Sequence, residues 1–285
     1  MRKRLNLTHP PLLAAAVRCA DPAEAIAAIR SCALHGADMI DLHISCLNQT
    51  DDETLARVIG SSPRPVLALN YNQTLDWRDA GLSEDERAES LLRAVDAGAA
   101  GIDMQGYTFD LPSKAAFHGD DHFSFTQGAP KEVVTDEAII EKQIALIERV
   151  HEKGAQVLLS CHTGCALSAE AVRDLALYLE KRGADVIKIV TTAATRNDLF
   201  EAIRAMPLLL ELHTPVAYHA NGAAGRLSRL INPLLGGAVA FCADHYDAYH
   251  TPEQLDLATA RQIIDGAEGM TDGIGALLNI ENGMR

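Results

Sequence analysis

Lys188 lies within Ala184-Asp185-Val186-Ile187-Lys188-Ile189-Val190, an apolar, β-rich run in which a solvated cation has no evident reason to be. Burial there disfavours the ammonium form and leaves a larger share of free amine, which is what a Schiff-base lysine requires. One strand earlier, Val157-Leu158-Leu159-Ser160-Cys161-His162 carries a histidine at its far end, with Thr163 and Gly164 opening the turn. A desolvated amine and a strand-end imidazole on successive strands pair a nucleophile with a proton shuttle. Each residue also has a plainer reading, Lys188 as a snorkelling or edge-strand lysine and His162 as a hydrogen-bonded core histidine. The pair carries more weight than either alone.

The elements that must position this pair obey a repeating phrase, in which a helix ends at Gly-Ala and an apolar strand begins almost at once. It appears at Gly36-Ala37-Asp38, Gly98-Ala99-Ala100, Gly154-Ala155 and Gly183-Ala184-Asp185. Each glycine can take the left-handed conformation that closes a helix. Helix starts are as regular: Asp21-Pro22-Ala23-Glu24, Ser83-Glu84-Asp85-Glu86 and Thr251-Pro252-Glu253-Gln254 each supply a capping residue with an acid or amide three positions on. Strands at Met39–His43, Gly101–Gln105 and the two runs that hold Lys188 and His162 are joined by Leu12–Val17, Pro65–Asn70, Pro215–Tyr218 and Ala238–Cys242. Continuous apolar strands alternating with amphipathic helices predict an α/β fold, a closed parallel (β/α)₈ TIM barrel formed as a single domain over residues 1–285. An open doubly wound sheet is the alternative, but no Gly-x-Gly-x-x-Gly opens the first helix. In such a barrel chemistry gathers at the C-terminal strand ends. These carry Asp41, His43 and Ser45, then Asn70 and Tyr71, Asp103 and Gln105, His162, Lys188, His219 and Asn221, and finally Asp244, His245 and Tyr246.

Composition narrows the partners. A formal charge of −14 argues against nucleic acid and anionic membrane surfaces, while leaving room for a small anionic substrate held by local basic groups. Met1-Arg2-Lys3-Arg4 is basic, but His9, Pro10 and Pro11 interrupt the short stretch after it, so no signal peptide is expected. No run approaches the roughly 20 apolar residues that span a bilayer. Cys19, Cys32, Cys46, Cys161, Cys165 and Cys242 are scattered and read as reduced core thiols of a cytoplasmic protein. Cys161-His162-Thr163-Gly164-Cys165 lacks a second cluster that would complete a structural zinc site, and no cofactor is expected.

Three stretches resemble type I 3-dehydroquinate dehydratase, the Schiff-base enzyme of the shikimate pathway and aromatic amino acid biosynthesis. They are the Lys188 strand with Thr191–Leu199, the segment Leu159-Ser160-Cys161-His162, and Asn221-Gly222-Ala223-Ala224-Gly225-Arg226-Leu227-Ser228-Arg229 running on to Gly236. The last resembles the family's Gly-x-x-Gly-x-x-Ser-Arg segment and is the most specific. Order and spacing hold over most of the chain. The resemblance implies a carbon–oxygen lyase in which Lys188 forms an imine with a ketone, His162 moves protons and Arg229 grips a carboxylate. Asp41, His43, Asn70, Gln105, Ser228 and His245 are the further expected substrate-binding residues. Several positions depart from the family pattern. Asp41-Leu42-His43 stands where the family has Glu-x-Arg, Leu69-Asn70-Tyr71 where it has Thr-x-Arg, and Gln105 where it has Glu. Asp244-His245-Tyr246-Asp247-Ala248-Tyr249-His250 replaces its Ala-Pro-Gly-Gln loop. A pocket changed in this way would not bind dehydroquinate in the family's manner, so the substrate is dehydroquinate or a related β-hydroxy keto acid. Residues 106–134, rich in Phe and His, form a long insertion after strand four and are expected to be a lid.

Two other readings stand beside this one. Asp41, His43, His219 and His245 could converge on a divalent metal for a metal-assisted lyase or isomerase. A non-catalytic barrel could bind a shikimate-like ligand. The expected partner is a small anionic keto acid, and a homodimer is compatible with the sequence.

Overall fold

The computed structural model describes residues 4–7, 10–71, 74–76, 80–110, 134–246, 253–267 and 269. Strands β1 (Leu12–Val17), β2 (Met39–His43), β3 (Val66–Leu69) and β4 (Gly101–Gln105) alternate with helices α1 (Pro22–Leu34), α2 (Asp52–Gly60) and α3 (Glu84–Asp96). The second half continues with α4 (Glu137–Glu152), β5 (Gln156–His162), α5 (Ala169–Glu180), β6 (Val186–Thr192), α6 (Arg196–Leu209), β7 (Val216–Asn221), α7 (Ser228–Leu234) and β8 (Val239–Ala243). A two-residue β9 (Leu255–Asp256) leads into a helix, α8, that includes 257–267.

Among the described residues the strands form one parallel sheet of nine, in the order β7-β6-β5-β4-β3-β2-β1-β8-β9. The expected eight are present, and β9 is an addition that pairs Leu255 with Cys242 beyond the end of β8. The sheet curls as a TIM-barrel-like fold does, and its two flanks approach where the Ala238 N–H donates to the Val216 carbonyl at 2.9 Å.

Both faces of every long strand are buried, which is why the strand sequences read as unbroken apolar runs. Alternation divides those side chains into two cores. Leu13, Ala15, Val17, Ile40 and Leu42 pack outward against the helices, whereas Leu12, Ala14, Met39, Leu67, Leu158, Val186 and Phe241 fill the concave interior. Apolar packing thus closes one end of the interior, and the strand parity that builds it also aims the next inward residues at the open end.

Capping agrees closely with the sequence. Ser83 and Glu86 form a reciprocal capping box at α3, and the Asp21 carboxylate accepts from the N–H groups of Ala23 and Glu24 at α1. Thr251 and Pro252 lie outside the described residues, as does most of the expected lid, of which 106–110 and 134 are described.

Candidate active site

Continuing each strand's inward parity past the packed interior brings the chemistry-bearing residues together. Ala16 and Arg18 come after Leu12 and Ala14 on β1; Asp41 and His43 come after Met39 on β2; Leu69 and Tyr71 come after Leu67 on β3. Across the sheet, His162, Lys188, His219 and Asn221 continue β5, β6 and β7 in the same way, and Phe241 enters from β8. These residues, with Arg229 from α7, line a cavity of about 320 Å³.

Lys188 stands at its inner end and is 6% exposed. Its Nζ is 3.4 Å from Asp103 Oδ2 and 4.3 Å from the Phe241 ring centroid, an anion and an aromatic face that both suit a cationic nitrogen. Asp103 is itself fixed, accepting from Ser160 Oγ at 2.5 Å and from Gln105 Nε2 at 3.3 Å. Ser160 is also the strand partner of Lys188, and His162 sits two residues further towards the cavity mouth on β5. The Tyr71 hydroxyl is 3.4 Å from His162 Nε2, and its ring lies edge-on to that imidazole at 6.0 Å.

The opposite wall carries Asp41 and His43, with Oδ2 and Nε2 3.7 Å apart. Burial holds the His43 imidazole below the usual histidine value despite that carboxylate, with the Arg18 and Lys188 charges adding to the effect. His219 is held well below it, first by burial and then by the charges of Arg229 and Lys188. Both are therefore neutral near pH 7.

Arg229 comes from the segment after β7. The Ala220 N–H donates to Ser228 Oγ at 2.8 Å and that hydroxyl donates to the Gly225 carbonyl at 2.6 Å, tying the turn down immediately before Arg229. Arg229 Nη2 then donates to Asn221 Oδ1 at 2.5 Å, while among the described residues its Nε has no hydrogen-bond partner. Burial pulls its guanidinium down to about 10. A buried guanidinium held by a neutral amide, with a donor to spare, is a receptor for an anion such as a carboxylate.

A sequence model of the type I 3-dehydroquinase family matches residues 126–269, which hold Lys188, His162 and Arg229. The chain belongs to the type I 3-dehydroquinase family. It is a divergent member. A 3-dehydroquinate dehydratase of Haloquadratum walsbyi is 25% identical over 116 residues, 41% of this chain and 47% of that protein. That alignment spans about half of the relative. Another, of Methanosarcina barkeri, is 21% identical across 83% of this chain and 88% of that protein. Among solved structures, the 3-dehydroquinate dehydratase of Geobacillus kaustophilus superposes with a TM-score of 0.70 at 16% identity, covering 92% of each chain. The type I enzyme of Clostridium difficile, solved with covalently modified comenic acid, gives 0.68 at 15% identity, covering 90% of this chain and 92% of that one. At such identities these superpositions speak for the fold.

Within this 3-dehydroquinase-family fold, Lys188, His162, Arg229, Asp41 and His43 reach the cavity, and four other expected site residues do not line it. Asn70 does not line the cavity, because Leu67, Leu69 and Tyr71 hold the inward parity and Asn70 falls between them. Asn70 instead donates to Ser90 Oγ on α3 at 2.7 Å. Gln105 is drawn away by Arg87, whose guanidinium donates to its Oε1 at 2.5 Å. The Ser228 hydroxyl is spent on the backbone of the turn. His245 lines a neighbouring cavity with Cys19, Ser31 and Asp244. The metal reading accordingly loses His245, and among the described residues no group of three or more His, Cys, Asp or Glu side chains is placed to hold an ion. Arg18 and Phe241 join the site without having been expected there. A signal for Arg18 exists in the sequence, a charged residue directly after an apolar strand and in register with inward Ala14 and Ala16.

Proposed function

We propose that this protein is a Schiff-base lyase that removes water from 3-dehydroquinate or a related β-hydroxy keto acid. The observation that carries the reading is the meeting of Lys188, His162 and Arg229 on one cavity. Arg229 receives the substrate carboxylate and sets the ketone carbon against Lys188. The amine adds to that carbon and water leaves, giving a protonated imine. Its positive charge lies against Asp103 and the Phe241 face, which stabilise it. The imine withdraws electrons from the neighbouring C–H, His162 removes that proton, and the resulting enamine expels the β-hydroxyl as water. Hydrolysis of the product imine returns the lysine. Departures at His43 and Tyr71 from the arginines, and at Asp41 from the glutamate, that the family resemblance leads one to expect support a substrate that differs from dehydroquinate at the β2–β3 wall. We further propose that residues 1–285 form one (β/α)₈ barrel closed between β7 and β8; the Ala238–Val216 hydrogen bond supports that closure.

Borohydride added to the protein with 3-dehydroquinate is expected to leave a reduced adduct on the peptide containing Lys188, and Lys188→Ala is expected to abolish both adduct and turnover. Full activity in Lys188→Ala would sink the proposal.

A further inference from the structure

Tyr71 lines the cavity from just beyond β3, and imine chemistry run by Lys188, His162 and Arg229 gives it no role. Its hydroxyl lies 3.4 Å from His162 Nε2, and its ring is flanked by two imidazoles, His162 at 6.0 Å and His43 at 5.9 Å between centroids. Hydrogen bonds between catalytic groups are often this long until the substrate complex draws them together.

Elimination of water needs two proton movements, one off the carbon beside the imine and one onto the departing oxygen. If His162 performs both, it must deliver to a second atom the proton it has just taken from the first. The cavity offers few other donors. Arg18 carries a guanidinium, which does not surrender its proton, and Arg229 is committed to the substrate carboxylate, whose negative charge holds it in the protonated form. His43 and His219 are kept neutral by burial and make weak acids. Asp41 is an acceptor paired with His43, and Asp103, behind the lining, is an acceptor already engaged by Lys188 and Ser160. Tyr71 has an O–H, faces the cavity and touches His162.

We propose that Tyr71 is a second proton-transfer residue, the general acid that protonates the leaving hydroxyl. This rests on the Schiff-base reading of Lys188. His162 Nε2 takes the proton as the C–H electron pair becomes the enamine double bond. The nitrogen lone pair then re-forms C=N, the enamine pair becomes the new C=C bond, and the C–O bond breaks onto oxygen. That oxygen takes the phenol proton and leaves as water. The phenolate recovers a proton from the His162 imidazolium across their contact, and both groups are restored.

Such a division of labour makes proton abstraction separable from elimination. Tyr71→Phe keeps the ring and its contacts with both imidazoles while removing the acid. With 3-dehydroquinate in D₂O, NMR tracks deuterium entering unreacted substrate alongside alkene formation, and borohydride trapping on the same protein reports the imine. Tyr71→Phe is expected to keep the Lys188 adduct and the exchange while dehydration falls about 10²-fold, so exchange per dehydration rises by a similar factor. An adduct with an unchanged ratio, including both rates falling together as a merely structural role would produce, overturns the assignment of Tyr71 alone. Absence of any adduct on folded wild-type protein, with 3-dehydroquinate and with a panel of related β-hydroxy keto acids alike, overturns the Schiff-base reading and this inference with it.

Discussion

At the scale of single residues, the group that decides whether Lys188 can work is Asp103. Its carboxylate is fully buried, pinned by Ser160 and Gln105, and lies against Lys188 Nζ. An ammonium, a protonated imine and the iminium that precedes product release carry the same charge at the same place, so one fixed anion serves every cationic stage. Asp103→Asn preserves the shape but removes the charge. We expect kcat to fall about 10- to 100-fold, in line with the ~1.5–3 kcal/mol typical of hydrogen bonds to charged groups, with KM changed much less. Steady-state kinetics check this, and a KM effect larger than the kcat effect would assign Asp103 to ground-state binding instead.

At the scale of elements, the turn from β7 into α7 shows how backbone shape delivers a side chain. Gly222 takes a φ of +87°, and a Cβ on Gly225 would lie 2.5 Å from the Ala220 carbonyl oxygen, so the chain doubles back more tightly than a larger residue allows. Ser228 then locks the turn and Arg229 emerges facing the cavity. Gly225→Ala must push the turn off β7; we expect a loss of about 1–3 kcal/mol in urea unfolding, together with a raised KM as Arg229 is displaced. An unchanged KM would separate turn from site. This element was legible in the sequence through its resemblance to the family's Gly-x-x-Gly-x-x-Ser-Arg segment, and the Lys188 and His162 strands because apolar runs encode burial. Asn70 is away from the cavity for a different reason: Val66-Leu67-Ala68-Leu69 is apolar on both faces, so the sequence does not mark which parity faces inward, and Leu67, Leu69 and Tyr71 take that face. Gln105 has inward parity, yet a long-range partner, Arg87, takes its side chain. Pairwise competition of that kind has no local signature.

At the scale of the whole molecule, two opposing electrostatic effects act as pH falls from neutrality, and their signs differ. The chain carries −14 at pH 7 and has a pI near 5.2, so lowering the pH relieves self-repulsion and on that account should stabilise the fold. The buried imidazoles act the other way. Burial holds His43 below the ordinary histidine value, and His219 well below it. Above about pH 6.5, the unperturbed value, both are neutral in folded and unfolded chains and contribute no pH dependence. Below it the unfolded chain binds a proton at each site while the folded chain does not, so stability falls with pH until the folded values are reached. The limit is about 1.4 kcal/mol per pH unit for each group. Most carboxylates titrate near pH 4, which leaves the interval from about 6.5 to 5 to the histidines. We expect Tm to decline across that interval in moderate salt, where screening weakens surface repulsion, and the decline to be shallower in His43→Gln/His219→Gln. A Tm that rises towards the pI in wild-type protein would mean that net charge, rather than the buried pair, governs acid stability.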